Sequence, residues 1–356
     1  MSDFRSDTVT RPTAAMKQAM IDAPLGDDVF GDDPSVNRLQ QSAAEMLGFE
    51  AALFAPSGTQ TNLIALMTHC QRGEEAIVGQ QWHTYRWEAG GMAVLGSVQP
   101  QPLEHQSDGS LALADIEAAI KPDDPHFAKT RLVVMENTTG GKVLPAAYMQ
   151  SVSALAKARG LRCHIDGARL FNAAVALAQQ DGGDPVACAR DICAGYDSVS
   201  VCLSKGLGAP VGSLLLGSKD FIQQARRMRK MLGGGMRQAG VLAAAGLHAL
   251  QHHVHRLAED HANAAALSAG LAKTVASHPK LEGKAVAHAA QTNIVFFDVD
   301  AGIADAFLQH LAARGIKVTS SAQRAQDRAI RRIRWVTHLD VDAADVARAI
   351  EAVAAF

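Results

Sequence analysis

From about residue 34 to residue 250, short apolar runs alternate with helix-like stretches, and this alternation leaves few folds open. Strands are read at 52–55, 76–79, 96–99, 132–136, 161–166, 198–203 and 212–216, with helices from 59 and over 146–158. Strands separated by helices pair in parallel, because each connection must cross over, and the helices then cover both faces of the sheet. The expected architecture is α/β, with a mostly parallel seven-stranded sheet in a large domain over 34–250. Residues 1–33 read as an arm with one short helix at 14–21. A long alanine-rich helix at 237–275 leads into a strand at 292–299, a helix at 303–314, a strand at 332–337 and a last helix from 342. These form a small C-terminal α/β domain, 251–356, near which the arm packs. A chain of 356 residues suits such a pair.

Composition narrows the function. The net charge of −2 supplies no basic footprint for nucleic acid. No stretch approaches the roughly 20 apolar residues of a membrane span. The start, MSDFRSDTVTRP, has early acids and no apolar core, so it is not read as a signal peptide. The five cysteines contain no CxxC pair, and their odd number argues against a disulfide framework. The expected compartment is the cytoplasm.

In open α/β sheets, ligands bind beyond the carboxyl ends of the strands. Lys205 follows the strand SVSVCL and is released from it by Gly206 and Gly208; a partly desolvated lysine there is a usable amine nucleophile. Asp166, inside HIDGAR, ends the strand read at 161–166. A lysine for a Schiff base and a carboxylate for the pyridine nitrogen are the two groups that pyridoxal 5'-phosphate (PLP) requires of a protein. Ser57-Gly58-Thr59 follows ALFAP and opens a helix, a plausible cup for the phosphate. Lys230 and Arg237 flank the glycine run at 233–235 and are expected to reach the same phosphate from a loop. Glu136, at the end of RLVVMEN, can hydrogen-bond the ring or its hydroxyl, and Ser204 adjoins the lysine. His83 lies between two tryptophans, where it can stack on the ring or move protons. His126 sits in a Pro/Asp loop as a second candidate. Arg169 and Arg334 can each clamp a substrate carboxylate. His248 and His252 have metal-ligand spacing but lack the acid of an HExxH pattern, so they read as a helix face and no metal is expected.

The segments DFRSDTVTRPT, GDDVFGDDPSVNRLQ, FAPSGTQTNL, EAGGMAVLGS, ENTTGGKVLP, HIDGARLFNAA, CLSKGLGAPVGSLL, RKMLGGGMRQAG and RWVTHLD closely resemble the low-specificity L-threonine aldolases, PLP enzymes of the aspartate-aminotransferase-like fold type I. The resemblance runs along nearly the whole chain. It implies retro-aldol cleavage of L-threonine and L-allo-threonine to glycine and acetaldehyde. It implies Lys205 as the Schiff-base lysine, Asp166 on the pyridine nitrogen, Gly58 and Thr59 on the phosphate and His83 on the ring face. Ser6, Arg169 and Arg334 would take the substrate carboxylate. Lys230 and Arg237 would complete the phosphate site from a neighbouring subunit of a homotetramer. Two positions depart from the family: Phe30, where tyrosine is frequent, and Thr139, where histidine is frequent. The nearest rival reading is a PLP lyase that expels a β-substituent and yields pyruvate. A PLP-binding regulator would need a basic DNA-binding module, and a non-catalytic protein leaves the cationic glycine loop without a purpose.

Overall fold

The computed structural model describes residues 1–325 and 328–356. It divides into two compact units, Pro12–Val254 and the pairing of Met1–Arg11 with His255–Phe356. The segment expected as a single arm is therefore shared between them. The helix Ala14–Ile21, capped by the Thr13 hydroxyl, belongs to the large unit.

Along the chain the strands are β1 (Ser2–Asp3), β2 (Ala51–Ala55), β3 (Glu75–Gly79), β4 (Gln99–Leu103), β5 (Thr130–Glu136), β6 (Arg162–Gly167), β7 (Ser198–Cys202), β8 (Ser213–Gly217), β9 (Ala285–Ala287), β10 (Ile294–Asp300), β11 (Ile316–Lys317), β12 (Thr319–Ala325) and β13 (Arg328–Val336). The large unit holds the seven-stranded sheet, ordered β2-β8-β7-β6-β5-β3-β4. Only β8 runs against its neighbours β2 and β7; the other pairings are parallel. Helices on both faces bury the central strands, and Ile77, Val133, Ile165, Val199 and Leu215 are fully enclosed. Each such side chain contributes about 1.5–3 kcal/mol of apolar burial. This central stack fixes where β5, β6 and β7 end, and hence where the polar residues after them are held.

Three sequence expectations need correction. The strand expected at 96–99 begins only at Gln99 and runs through Pro100 and Pro102 to Leu103. Proline cannot donate to a ladder, so it reads as a breaker, yet β4 is the sheet's edge and tolerates it. The long helix at 237–275 is two helices, Gly240–His252 and Leu257–Ser277. They break where the His253 ring turns back to the Leu207 carbonyl at 2.8 Å. Lys230 does not project from a loop: it lies in the last turn of the helix Lys219–Met231, and the glycine run starts beyond it.

The smaller unit contains an antiparallel sheet, β12-β13-β10-β9, and the short parallel pair β1 and β11. Phe297, Phe307 and Trp335 fill its core, with Phe4 edge-on to Trp335 at 5.4 Å. The final helix, Ala343–Ala354, starts at a reciprocal capping box of Asp342 and Asp345. Strand β12 escaped the sequence reading because TSSAQRA is mostly exposed and has no apolar face to alternate.

The β7–β8 connection is tightly built. Leu203 N–H donates to the Gly212 carbonyl at 3.0 Å, closing the loop that carries Lys205. Gly212 has φ 117°, and a Cβ there would lie 2.4 Å from the Phe54 ring. Gly212→Ala is expected to lower the unfolding free energy by about 1–3 kcal/mol, from overpacking and left-handed strain together. An unchanged urea midpoint would show that the loop has slack.

Candidate active site

Side-chain alternation puts every second residue of a strand on one face. On β6 this aligns His164 with Asp166, and the parallel register sets them beside Ser198 and Ser200 of β7. Glu136, at the end of β5, stands beside Asp166. The helix Gly58–His69 packs over this polar face. Its Asn62 amide donates to Asp166 Oδ2 at 2.8 Å and to Glu88 Oε1 at 2.9 Å. Asp166 is 1% exposed, and its other oxygen accepts from Ala168 N–H at 3.0 Å. His83 opens the short helix His83–Arg86. Its Nδ1 lies 2.9 Å from Glu88 Oε1, and its backbone N–H donates to Glu136 Oε2 at 2.6 Å. His83, Glu88 and Asp166 offer ligand atoms within 4.8 Å of one another. The Glu88 and Asp166 carboxylates are, however, already engaged by N–H donors of Asn62, His83 and Ala168, so a hydrogen-bonded network accounts for the cluster.

Three carboxyl groups this close must differ in proton affinity. Burial, reinforced by the adjacent Asp166 charge, pushes Glu136 well up, against the opposing pull of the His83 N–H, Lys205 and Arg169. Glu88 is also raised, chiefly by burial, while its hydrogen bond from His83 pulls the other way. Lys205 and Arg169 both act electrostatically on the Glu136 carboxyl. Lys205 sits in the turn after β7, its carbonyl held by Gly208 N–H at 2.8 Å. Arg169 precedes the helix Leu170–Asp181.

Ser57 caps the helix Gly58–His69 by accepting from Gln60 N–H at 3.2 Å. The N–H groups of Gly58 and Thr59 lie in its first turn, where no intrahelical acceptor exists. A Cβ on Gly58 would come no closer than 4.0 Å to another atom, so space remains above the helix end. The Ser204 hydroxyl lies 3.5 Å from Cys202 Sγ. Lys230 folds along the glycine loop, with Nζ 3.8 Å from a Cβ built on Gly235. Arg237 pairs with Asp27 at 2.9 Å. The buried cation here is Arg229, paired with Asp28 at 2.7 Å and donating to the Phe54 carbonyl.

The structure thus gathers Asp166, Glu136, His83, Lys205 and Arg169. His126 stands apart in contact terms: its side chain is 84% exposed and paired with Asp124 at 2.7 Å. Ser6 and Arg334 belong to the smaller unit, where Ser6 caps the turn Asp7–Val9 and Arg334 donates to the Arg5 carbonyl. Thr139 accepts from the Trp82 indole at 3.0 Å, and Phe30 is exposed. Sequence reasoning passed over Asn62, Glu88 and His164. The one available signal was HID against SVS, a period-two polar ladder on two otherwise apolar strands. As a donor set, an amine, a buried carboxylate, an imidazole and an open helix N-terminus fit PLP.

Comparison with known proteins agrees. The beta-eliminating lyase family model matches residues 3–301. The low specificity L-threonine aldolase of Escherichia coli K12 is 50% identical over 341 residues, covering 96% of this chain and 95% of its own. Low-specificity L-threonine aldolase 1 of Arabidopsis thaliana is 44% identical over 356 residues, covering 97% and 93%. Among solved structures, Leishmania major threonine aldolase superposes with TM-score 0.82 at 23% identity over 99% of this chain and 98% of its own. Sphingomonas wittichii serine palmitoyltransferase gives 0.70 at 20% identity, covering 99% and 83%. The fold is that of the fold-type I PLP enzymes. The chain belongs to the beta-eliminating lyase family and, within it, to the low-specificity L-threonine aldolases.

Burial holds the His164 ring down to about 3 and the His69 ring to about 4, below the ordinary 6.5. An unfolded histidine takes up a proton below pH 6.5 that the folded ring refuses. The stabilisation present above 6.5 is therefore lost as pH falls toward these lower values. Glu88 and Glu136 act oppositely: their contribution is present below about 4.5 and is lost as pH rises through their raised values. Comparison with His164→Gln isolates the histidine part. The loss of apoprotein stability from pH 6.5 to 4.5 should be about 2 kcal/mol smaller in the variant. Parallel urea-midpoint profiles would contradict a neutral, buried His164.

Proposed function

We propose that this lyase is PLP-dependent and cleaves the Cα–Cβ bond of L-threonine and L-allo-threonine, giving glycine and acetaldehyde. The observation that carries the reading is the buried network that joins Asp166, at the end of β6, to His83 through Asn62 and Glu88, with Lys205 in the turn that follows the neighbouring strand β7. PLP held there supplies an electron sink for the carbon left negative when the bond breaks. Lys205 is the amine that binds it, Asp166 faces the ring nitrogen, and Ser57, Gly58 and Thr59 take the phosphate. Ser204 borders that site. Glu136, held toward its protonated form, can donate a hydrogen bond to the ring's oxygen substituent.

His83 is the base. Glu88 Oε1 engages its Nδ1, which leaves the Nε2 lone pair to accept the β-hydroxyl proton. Arg169 is the proposed ligand of the substrate carboxylate in the large unit, and Ser6 and Arg334 are the candidates that the smaller unit carries. His126 is a second candidate for the substrate side chain. Orientation by these groups supplies much of the rate enhancement.

The reading includes a cytoplasmic homotetramer in which Lys230 and Arg237 serve a neighbouring subunit's phosphate. Five free cysteines support the compartment. Large exposed side chains, among them Phe30, Trp87, Val94, Leu95 and Met231, support an assembly.

Purified protein loaded with PLP should release acetaldehyde from both L-threonine and L-allo-threonine, and Lys205→Ala should abolish nearly all turnover. Pyruvate in place of acetaldehyde would move the assignment to a β-eliminating lyase. His83→Phe should lower kcat by about 10²–10⁴, the range for loss of a general base. A change of only a fewfold would transfer that role to His126 or to water.

A further inference from the structure

The polar face of β6 and β7 continues away from the site, to the opposite end of the sheet. His69, two turns along from Asn62 on the same helix, lines a cavity of about 1030 Å³ around the starting ends of the parallel strands. The Glu74–Arg131 and Asp197–Arg162 ion pairs stand among its walls. The His69 ring stacks on Phe221 at 4.4 Å, and its Nε2 lies 2.7 Å from Ser198 Oγ. Ser198 Oγ is 2.8 Å from His164 Nδ1, and His164 Nε2 is 3.2 Å from Asn62 Oδ1. Four side chains thus link the far cavity to Asp166.

The protons on this chain can be assigned by elimination. Carboxylate oxygens accept, so the Asn62 amino group must face Asp166 and Glu88, and its carbonyl must face His164. Two oxygens face His164 Nε2, the Asn62 carbonyl at 3.2 Å and the Ser200 hydroxyl at 3.4 Å; the carbonyl can only accept, and a hydroxyl can accept as well, so the Nε2–H tautomer satisfies both. His164 Nδ1 is then an acceptor and takes the Ser198 hydroxyl proton. The Ser198 oxygen in turn accepts from His69 Nε2–H. Every donor points the same way, from the cavity toward the carboxylates. Both rings stay neutral because burial disfavours their charged forms, so neither donates from both nitrogens at once. Hydrogen bonds aligned in this sense polarise and strengthen one another.

We infer that His69, Ser198, His164 and Asn62 form one directional hydrogen-bond relay that positions Asp166 for the cofactor nitrogen, with His69 acting on the site from the opposite end of the sheet. The inference rests on the PLP reading. His164 and Asn62 are positioning residues, and His69 and Ser198 act only through them.

The test uses the full chain. His69→Phe keeps a ring against Phe221 but removes the donor, and Ser198→Ala removes the central hydroxyl. Each should weaken PLP binding to the apoprotein about threefold to tenfold, the worth of one lost hydrogen bond in a network, and should shift the visible absorption of the bound cofactor. The relay is cut once in either case, so the double variant should bind PLP no more weakly than Ser198→Ala alone. Ser198→Thr, which keeps the hydroxyl, should restore binding. Unaltered PLP affinity and absorption in Ser198→Ala would overturn the inference, as would losses in the double variant that multiply. A role confined to fold stability would lower the apoprotein melting temperature and leave PLP affinity unchanged, which also overturns it. Histidine ¹⁵N spectra of the apoprotein, assigned by omission in His69→Phe and His164→Gln, separate this inference from the functional reading. They should show both rings as Nε2–H tautomers whether or not PLP binds. An Nδ1–H signal from His164 would break the relay. Normal tautomers in a wild-type chain that takes up no PLP would instead remove the cofactor reading.

Discussion

A carboxylate with almost no solvent contact, at the end of a buried parallel strand, is the constraint around which the large unit is organised. Leaving Asp166 there without partners would cost several kcal/mol. The compensation comes from two directions: the backbone of Ala168, where β6 turns into the next segment, and the Asn62 amide from the helix above. That helix must therefore pack at one height and one rotation over β6 and β7. The same placement brings its own N-terminus, with Gly58 and Thr59, to the carboxyl ends of the strands. One polar requirement thus aligns the anchoring carboxylate with the anion cup.

Glu88 and Glu136 extend the arrangement to His83. The histidine is gripped twice, through its ring by Glu88 and through its backbone by Glu136. The two acids are pushed toward their neutral forms, while Asp166 is supplied with N–H donors. Three carboxyl groups in one small volume therefore need not carry three charges, and the site stays compact without a counter-ion for each.

Much of this was legible in the residues. Alternating strands and helices implied the parallel sheet, and the rule that ligands sit beyond strand ends pointed to Asp166, Glu136 and Lys205. The internal partners were harder to see. Asn62 closes the polar run TQTN at the start of its helix, where it looks like any other polar residue near a helix start, and its role depends on a contact with a residue about a hundred positions away. His164 reads as an ordinary strand residue until its neighbour across the ladder proves to be Ser198. Lys230 was placed in a loop because three glycines follow it, yet the helix Lys219–Met231 continues through it before they begin. The break between the helices at 252 and 257 carries no proline or glycine, so nothing local announced it.

The prolines of β4 bear on how the molecule behaves among copies of itself. Gln99 N–H donates inward, to the Glu74 carbonyl. Alternation along a strand then turns the nitrogens of positions 100 and 102 outward, and both belong to prolines, which have no hydrogen to offer. The rim of the sheet is thereby stripped of main-chain donors where an incoming strand would dock. Such a border resists templated growth into fibrils. The residue that made this strand hard to recognise also keeps it from being extended.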